Sequence, residues 1–336
     1  MAEEGDAPPT MRAQVERALL QVPAGRVTTY GDIARALGDI RAARAVGEIL
    51  STNAMPDTVP CHRVVMADRS LGGYAFGGPE AKAKRLRREG VEVRAGAVVG
   101  LGAVAVREFD LKPIFRGYAE RQRALARRVR TARTGAPLEI AIGVDASYTV
   151  DDREAFAAAV AVEAASGEVV DSAVAEFRPP VPYVPGYLAF RELPGIVAAV
   201  GRLSGKARRR AALLVDGQGI LHPRRCGIAS MAGLELGMPA VGVAKRRLLG
   251  EAVGNPTPIG PFEARTIEVD GEGRGLELRL RGRSHALFVS PGTGLTVLEA
   301  GRLAAALTRP GDKSPRPIAL ADELSRRARR AAAASA

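Results

Sequence analysis

The run of residues 213–219, which reads Leu-Leu-Val-Asp-Gly-Gln-Gly, limits the possible folds of this chain more than any other stretch. Its apolar residues predict a short buried strand that ends on the carboxylate of Asp216. Gly217 and Gly219 follow, and glycine lets the backbone come close to whatever such a carboxylate holds. The run therefore indicates a metal and phosphate site at the end of a strand. An Asp-Gly turn after an ordinary strand is the alternative interpretation.

Two further carboxylates, those of Asp145 and Glu192, favour the metal site. Asp145 ends the apolar run 140–144, and Glu192 lies in the helix predicted after the Pro-rich segment 182–187. The other predicted elements are strands over 155–162, 168–177, 211–216 and 239–243, and helices ending near 203, over 225–236 and near 295–307. This order is that of an α/β ribonuclease H-like fold, in which the first and fourth strands are neighbours. Asp145 should then lie beside Asp216.

Three carboxylates gathered at one point repel one another unless a divalent cation neutralises them. Mg²⁺ prefers hard oxygen ligands of this kind and keeps waters in its shell, and Mn²⁺ is the alternative ion. A metal held there generates hydroxide and stabilises the leaving oxygen of a phosphodiester. Asp145, Glu192 and Asp216 therefore predict phosphodiester hydrolysis.

The composition supports a nucleic-acid partner. The 336 residues carry 49 Lys and Arg against 37 Asp and Glu, and the resulting net charge of +12 attracts polyanions. Two cysteines, Cys61 and Cys226, argue against a disulfide framework and for a reducing compartment. The chain shows no signal peptide and no apolar run long enough to cross a membrane. We expect a monomeric, cytoplasmic protein associated with the nucleoid, with nucleic acid and not a membrane as its partner.

The first part of the chain carries a helix-turn-helix pattern. Helical spacing over 12–20 is followed by a capping signal at Thr29 and Asp32, and a further helix starts near Arg41. Two short helices joined by a three-residue turn are typical of this DNA-binding motif, in which Arg44 would face the groove. An ordinary helical hairpin is the alternative interpretation.

A candidate nucleophile follows in the segment Pro60-Cys61-His62-Arg63. An imidazole beside a thiol can take its proton and so activate the sulfur, whereas most single cysteines are inert core residues. The segment belongs to an ordered series of motifs: Thr29-Tyr30-Gly31-Asp32-Ile33-Ala34, residues 42–47 (Ala-Ala-Arg-Ala-Val-Gly), Asn53, residues 60–65 (Pro-Cys-His-Arg-Val-Val) and Gly72-Gly73-Tyr74. Residues 11–93 therefore resemble the reactive and DNA-binding domain of O6-alkylguanine-DNA alkyltransferases.

The alkyltransferase resemblance implies a role for each matching residue. Cys61 would accept the alkyl group, His62 would take its proton through a water, and Glu89 would orient the imidazole. The remaining matches are Asn53, which would brace the reactive segment, Arg44, which would fill the gap left by a flipped guanine, and Tyr30, which would push on the phosphate. Flipping is required because O6 of guanine lies within the base stack.

A longer series of motifs runs through the second half. They are Gly143-Val144-Asp145-Ala146-Ser147, Tyr183-Val184-Pro185-Gly186, Phe190-Arg191-Glu192, residues 215–219, His222-Pro223-Arg224, residues 227–230, Gly242-Val243-Ala244-Lys245 and Val289-Ser290-Pro291-Gly292. Together they resemble endonuclease V over about residues 112–325. That resemblance implies cleavage of the second phosphodiester 3' to hypoxanthine, leaving 3'-hydroxyl and 5'-phosphate ends. Whether DNA or inosine-containing RNA is preferred stays open at this point. It also implies that Asp145, Glu192 and Asp216 bind Mg²⁺ and that Lys245 contacts the adjacent phosphate.

The endonuclease V resemblance implies a set of DNA contacts as well. Tyr183, between Pro182 and Pro185, would wedge into the duplex, because a rigid aromatic residue loses little entropy on insertion. The residues expected to line a pocket for the flipped base or to touch the DNA are Gly217, Gly219, Gly242 and His222.

The chain departs from both family patterns at a few positions. Ala75 and Phe76 stand where alkyltransferases have one serine before the glycine pair, so the range of accepted alkyl groups is open. Thr293 and Met231 stand where endonuclease V proteins commonly have histidines. Neither residue can act as an acid or base at neutral pH, so metal affinity and rate are open too.

These matches predict a two-domain chain: a mainly α, winged helix-turn-helix alkyltransferase domain over 1–93 and an α/β ribonuclease H-like domain over 112–325. Residues 1–9 are interpreted as a loose leader, 94–111 as a linker or an extra strand pair, and 326–336 as a disordered tail rich in Arg and Ala. The predicted function is bifunctional DNA repair, with cofactor-free alkyl transfer to Cys61 and Mg²⁺-dependent hydrolysis beside deoxyinosine. A non-catalytic sensor of alkyl lesions tethered to a weakened nuclease is the competing hypothesis.

Overall fold

The computed structural model of the protein describes residues 10–132, 137–280 and 285–335, so the predicted leader lies outside the described residues. The chain divides into two compact units. Of the described residues, the first contains 10–118 and 181–185, and the second contains 119–132, 137–180, 186–280 and 285–335. Within the described ranges, no helix combines the length and apolarity needed to span a bilayer.

The first unit is built around a helix-turn-helix, as the sequence predicts. Its elements are α1 (Met11–Leu20), β1 (Thr28–Thr29), α2 (Tyr30–Ala36), α3 (Ala43–Ser51), β2 (Val64–Val65), α4 (Gly78–Arg88), β3 (Val93–Arg94), β4 (Ala97–Val98) and α5 (Leu101–Val104). The hydroxyl of Thr29 accepts the N–H of Asp32 at 3.0 Å, which confirms the predicted start of α2. A 3-10 turn over Ile40–Ala42 then leads directly into α3.

Residues 94–106 belong to the first unit, so the linker prediction for 94–111 is wrong over most of its length. β3 pairs with β4 in an antiparallel hairpin. Val98 of β4 is buried in the apolar core of the first unit. The N–H of Val27 donates to the carbonyl of Val104 at 3.0 Å, and the N–H of Val106 donates back to Val27 at 2.7 Å. These bonds tie the segment to the chain just before β1. The β3–β4 hairpin therefore confirms the alternative prediction of an extra strand pair.

The second unit contains one mixed sheet with helices on both faces. α6 (Ile114–Ala126) crosses the boundary between the units, and the elements that follow are β5 (Ile140–Tyr148), β6 (Ala155–Glu163), β7 (Val169–Phe177), α7 (Leu188–Gly201), α8 (Gly205–Arg208), β8 (Ala211–Asp216), α9 (Ile228–Leu236), β9 (Ala240–Ala244), β10 (Glu251–Ile259), β11 (Phe262–Val269), β12 (Glu272–Leu280), β13 (Ala286–Thr293), α10 (Val297–Ala306) and α11 (Arg316–Ser335). The strand order is β10-β11-β12-β13-β9-β8-β5-β6-β7. β5 runs parallel to β8 and antiparallel to β6, as the ribonuclease H-like order requires.

Both faces of the central strands are buried, which explains their nearly continuous apolar sequences. On one face Ile142 packs with Ile196 of α7, and on the other Ala141 packs with Ile318 of α11. α11 lies especially close to β5, because a Cβ atom on Gly143 would be 2.0 Å from the carbonyl carbon of Pro317. This close approach brings the next turns of α11 to the end of β5.

Sequence reasoning missed the strands β10, β11 and β12. β10 contains Pro256 and Pro258 and has a register shift between Val253 and Thr257. It lies at the edge of the sheet, where proline costs no ladder bond. Its residues are mostly exposed and do not alternate in polarity, so the usual strand signal is absent.

The prediction of a disordered tail is wrong for residues 326–335, since α11 continues to Ser335. Arg329 donates from Nη1 to the carbonyl of Tyr148 at 3.2 Å. Alanine and arginine are strong helix formers, and the buried residues Ile318 and Ala321 anchor the start of the same helix. The Arg- and Ala-rich residues at the end of the chain therefore continue a helix whose first turns are anchored in the core.

Candidate active sites

The thiol of Cys61 lies at the start of a 3-10 turn, Cys61–Arg63, and is buried. Asn53 donates from Nδ2 to Cys61 Sγ at 3.2 Å and to the carbonyl of Val59 at 3.0 Å. Its Oδ1 accepts the N–H of Met55 at 3.0 Å. Asn53 therefore holds both ends of the loop before the cysteine and contacts the sulfur directly.

The imidazole of His62 is oriented by Glu89. His62 Nε2 lies 2.9 Å from Glu89 Oε1, and the same carboxylate accepts two hydrogen bonds from Arg63 at 2.7 and 2.9 Å. Burial lowers the pKa of His62 in spite of Glu89, so the ring is neutral at neutral pH. Burial alone would raise the pKa of Glu89, but the hydrogen bonds from Arg63 and His62 outweigh it and keep the carboxylate ionised.

The second ring nitrogen of His62 is ready to accept a proton. Nδ1 is buried and has no hydrogen-bond partner in the described part of the chain. With Nε2 committed to Glu89 as a donor, the neutral ring leaves Nδ1 as an acceptor. A buried acceptor of this kind suits a water that relays a proton from the neighbouring thiol.

A buried lysine beside this site escaped sequence reasoning. Lys82 of α4 is fully buried, and its Nζ donates to the carbonyls of Leu71 at 2.6 Å and Gly73 at 3.3 Å. Burial lowers its pKa to about 8, while the charge of a Cys61 thiolate acts in the opposite direction. The one available signal was its position on the same helical face as Ala83 and Leu86.

The predicted DNA-handling residues of the first unit lie on the helix-turn-helix. Arg44 is exposed near the start of α3, where its Nε donates to Glu48 at 3.0 Å. Tyr30 begins α2 and packs beside Gly47 of α3. Burial, with a smaller contribution from the Cys61 charge, raises the pKa of Tyr30, so its phenol stays protonated. The longer loop is also present, with Phe76 exposed and its ring 5.5 Å from that of Tyr74.

In the second unit, three elements bring the predicted carboxylates together. Val144 pairs with Val215, so Asp145 and Asp216 follow on neighbouring strands, just beyond the last paired residues of β5 and β8. Glu192 lies in the second turn of α7, and its Oε1 accepts the hydroxyl of Tyr148 at 2.6 Å. A fourth carboxylate, Asp322 of α11, hydrogen-bonds to Asp145 and was missed because α11 approaches β5 only in the folded chain.

The charges at this site are only partly compensated. Burial, the charge of Asp216, the bond to Asp322 and the charge of Glu192 raise the pKa of Asp145 to about 8. Burial likewise raises the pKa of Glu192 to about 7, against the bond from Tyr148. Lys245 supplies one cation, with its Nζ 2.5 Å from Asp216 Oδ2. Further positive charge is needed for these groups to be ionised together at neutral pH.

The donor set suits a hard divalent cation, although the side chains do not form a ready-made site. Among residues 10–132, 137–280 and 285–335, no three His, Cys, Asp or Glu side chains are already arranged to hold an ion. Asp216 is turned to Lys245, Glu192 to Tyr148 and Asp145 to Asp322. The raised pKa values show that the carboxylates nonetheless feel one another, so modest side-chain rotation would let them share an ion.

Two family models match the chain. The Endonuclease V model matches residues 123–323, and the model of the 6-O-methylguanine DNA methyltransferase DNA-binding domain matches residues 10–91. A bifunctional methyltransferase/endonuclease of Picrophilus torridus is 36% identical over 277 residues, 79% of this chain and 88% of that protein. The crystal structure of an endonuclease V from Streptomyces avermitilis matches with a TM-score of 0.59 at 34% identity, covering 65% of this chain and 94% of that one.

The chain belongs to the endonuclease V family. Its first unit carries the DNA-binding domain of the 6-O-methylguanine DNA methyltransferases. The predicted fusion and the fold class of both halves are thereby confirmed. An endonuclease V of Aeropyrum pernix, 41% identical over 185 residues, covers 55% of this chain and 68% of that protein. Membership in this family implies a metal-dependent nuclease.

Two of the predicted pocket glycines of the endonuclease V unit have a packing role. A Cβ atom on Gly242 would lie 2.4 Å from the backbone nitrogen of Gly219, and one on Gly219 would lie 2.1 Å from the carbonyl oxygen of Pro291. Both glycines are buried. They allow the loop after Asp216 to lie against β9 and β13, and their place in a pocket for the flipped base stays a prediction. Gly217 is partly exposed, with a φ of +154°.

The imidazole of His222 is buried in the endonuclease V unit and hydrogen-bonds to its backbone. It is 3% exposed, its Nε2 lies 3.1 Å from the carbonyl oxygen of Gly186, and its Nδ1 accepts the N–H of Arg224 at 3.2 Å. Both ring nitrogens are engaged within the chain, and the predicted DNA contact by this ring stays a prediction. The imidazole holds the backbone that directly follows the segment Pro182, Tyr183 and Pro185. Tyr183 itself is 52% exposed, as a wedge requires.

Thr293 and Met231, which stand where endonuclease V proteins commonly have histidines, are packed into the structure of this unit. Thr293 accepts the N–H of Arg130 on its hydroxyl at 3.2 Å and is almost buried. Met231 is 2% exposed within the core. Both side chains therefore stabilise the surrounding structure. Cys226, which burial gives a pKa raised to about 12, is an inert core thiol, as predicted.

Proposed function

We propose that the protein is a bifunctional DNA-repair enzyme that removes alkyl groups from O6 of guanine and cuts nucleic acid beside deoxyinosine. The observation that carries the nuclease half is the meeting of Asp145, Glu192 and Asp216 beside the end of β8, where burial and neighbouring charges raise the pKa values of Asp145 and Glu192. The alkyl-transfer half is supported by the contacts of Cys61 with Asn53 and of His62 with Glu89. The bifunctional name of the Picrophilus torridus relative agrees with both.

The alkyl transfer needs only groups that the first unit already holds. His62 Nδ1 takes the thiol proton of Cys61 through a water, while Glu89 stabilises the imidazolium that forms. The sulfur attacks the alkyl carbon, and the bond from that carbon to O6 breaks. Its electron pair stays on the guanine, which takes up a proton. Arg44 would fill the gap left by the flipped base, and Tyr30 would help to turn its phosphate. The thioether is inert, so each molecule would act once.

Hydrolysis in the second unit would depend on Mg²⁺, or Mn²⁺ in its place, held by Asp145, Glu192 and Asp216. Such an ion supplies a hydroxide at neutral pH and stabilises the leaving oxygen. Lys245 neutralises Asp216 and would contact the adjacent phosphate. The expected cut is at the second phosphodiester 3' to deoxyinosine, giving 3'-hydroxyl and 5'-phosphate ends. Tyr183 between Pro182 and Pro185 would separate the bases, and inosine-containing RNA is a further substrate.

Two assays on the intact protein test this proposal. After incubation with O6-methylguanine DNA, mass spectrometry should find one methyl group on Cys61, and the Cys61→Ser variant should stay unmodified. With Mg²⁺ and a deoxyinosine duplex, the wild type should nick one strand, while Asp145→Ala and Asp216→Ala should lose at least about 100-fold in rate, equivalent to about 2.7 kcal/mol or more of lost transition-state stabilisation.

Each half of the proposal has its own contradicting result. If the protein binds O6-methylguanine DNA but Cys61 never gains a methyl group, the first unit is a sensor. If the wild type leaves both DNA and RNA carrying inosine intact, the nuclease assignment is wrong. If an inosine-containing RNA strand is cut faster than the matching DNA strand, RNA is the preferred substrate. The alkyl-transfer and nicking rates of each single variant serve as controls for one another.

A further inference from the structure

We infer that Tyr148 is a positioning residue for Glu192, and that it sets the affinity of the endonuclease V unit for its divalent cation. This inference rests on the proposed nuclease function and deepens it, because Tyr148 lies outside the carboxylate set. Tyr148 ends β5, three residues after Asp145, and faces α7. Tyr148 would not contact the ion itself and would act through the carboxylate of Glu192, which would.

The hydrogen bond from Tyr148 divides the two oxygens of Glu192 between different tasks. The phenol donates to Oε1 at 2.6 Å, a short bond typical of a hydroxyl and an ionised carboxylate. Oε2 then remains for a cation, since a carboxylate accepts at both oxygens. A glutamate side chain that nothing holds loses considerable rotamer entropy when it binds an ion. The phenol removes part of that cost before the ion arrives.

The ring of Tyr148 is itself held from the side of α7. The guanidinium carbon of Arg191 lies 4.1 Å from the ring centroid, and Arg191 is only 4% exposed. The same guanidinium forms an ion pair with Asp152, in the turn between β5 and β6. Arg191 and Glu192 are consecutive in the chain, so one fixes the ring and the other receives its hydrogen bond. A buried cation stacked on an aromatic face stabilises such a contact appreciably.

The backbone of Tyr148 is held from the opposite face of the sheet. Arg329, within the last turns of α11, donates to the Tyr148 carbonyl at 3.2 Å. Tyr148 is thus fixed through its ring by Arg191 and through its backbone by Arg329. Partners that orient a metal-binding carboxylate are commonly worth about 10- to 100-fold in metal affinity. This range is the effect we expect from removing the phenolic oxygen.

The test compares Tyr148→Phe with wild type in Mn²⁺ titrations followed by electron paramagnetic resonance, without DNA. The substitution keeps the ring under Arg191 and deletes only the hydroxyl. We expect the Kd for Mn²⁺ to rise about tenfold or more. In cleavage assays the variant should recover most of the wild-type kcat at saturating metal, with an unchanged KM for DNA. Tyr187→Phe, which deletes a phenolic oxygen from another buried tyrosine of this unit, should bind Mn²⁺ as wild type does.

A purely structural role for the hydroxyl would lower the thermal unfolding temperature and leave the Kd for Mn²⁺ unchanged, and that result would overturn the inference. Should Tyr148→Phe fold poorly, Arg191→Lys serves instead. It keeps the charge but not the planar stacking group, so it should raise the Kd for Mn²⁺ by about two- to fivefold. An unchanged Kd in that variant also counts against the inference. A wild-type protein that binds no Mn²⁺ would instead overturn the nuclease proposal on which this inference rests.

Discussion

The two candidate sites of this protein differ in how completely the chain satisfies their charges. Around Cys61, the side chains satisfy one another: Arg63 and His62 hydrogen-bond to Glu89, and Asn53 donates to the sulfur. Around Asp145, burial and neighbouring charges raise the pKa values of Asp145 and Glu192, although Lys245 pairs with Asp216 and Arg326 pairs with Asp322. The first site is therefore complete as folded, whereas the second requires an additional cation.

This difference follows from the chemistry that each site is proposed to perform. Displacement by sulfur at an alkyl carbon needs a base and an oriented nucleophile, which side chains provide. Hydrolysis of a phosphodiester needs stabilisation of charge on two oxygens, which a metal ion provides better than side chains do. A protein that carries both sites allows the contrast to be tested within one molecule.

Chelation should produce the largest effect. We expect EDTA to lower the rate of cleavage beside deoxyinosine by at least about 100-fold and to leave the rate of methyl transfer to Cys61 unchanged. Both rates can be followed in one reaction, on a duplex that carries both lesions. Cleavage that persists in EDTA, or methyl transfer that stops, would remove the proposed distinction between the two sites.

Substitution of Glu89 should sharpen the contrast from the other side. Glu89→Gln removes the charge that stabilises a protonated His62, so we expect methyl transfer to slow by about tenfold or more, within the range that a general base contributes. Single-turnover mass spectrometry measures this rate. Glu80→Gln, on the exposed first turn of α4, is the matched control. Normal transfer in Glu89→Gln would show that the imidazole needs no carboxylate, and cleavage at deoxyinosine should stay normal in either variant.

The smallest effect concerns the stability of the metal-free second unit. Because burial and mutual repulsion raise the pKa of Asp145 to about 8 and that of Glu192 to about 7, their protonated forms stabilise the fold at low pH. This contribution is lost as the pH rises from about 4 through 8. In EDTA we expect the Tm of this unit to fall by a few °C over that range.

Differential scanning fluorimetry with and without Mg²⁺ measures this pH dependence. Mg²⁺ should restore the Tm most strongly near pH 8, where the carboxylates are free of protons and can bind it. Asp145→Asn should flatten the metal-free curve, because it removes one of the titrating groups. A wild-type Tm that rises between pH 5 and 8 in EDTA would contradict the assigned pKa directions.

Much of the fold could be predicted because the signals for it are local. The strand that ends at Asp216 and the cap at Thr29 are each set within a few residues, and both appear as expected. The edge strand β10 could not be predicted, since its prolines and exposed residues remove the alternation on which strand prediction relies. The end of α11 was missed because composition alone does not show that a helix is anchored upstream.

The sequence by itself determined the two-part architecture and the main chemical groups, because motif spacing and apolar periodicity are properties of neighbouring residues. Only the tertiary structure brought Asp322 to Asp145, buried Lys82 within reach of the charge of Cys61, and packed His222 and Gly242 against neighbouring backbone. These outcomes depend on how closely distant elements approach, as α11 does at Gly143. That distance is set by the packing of whole faces, which no single stretch of the chain encodes.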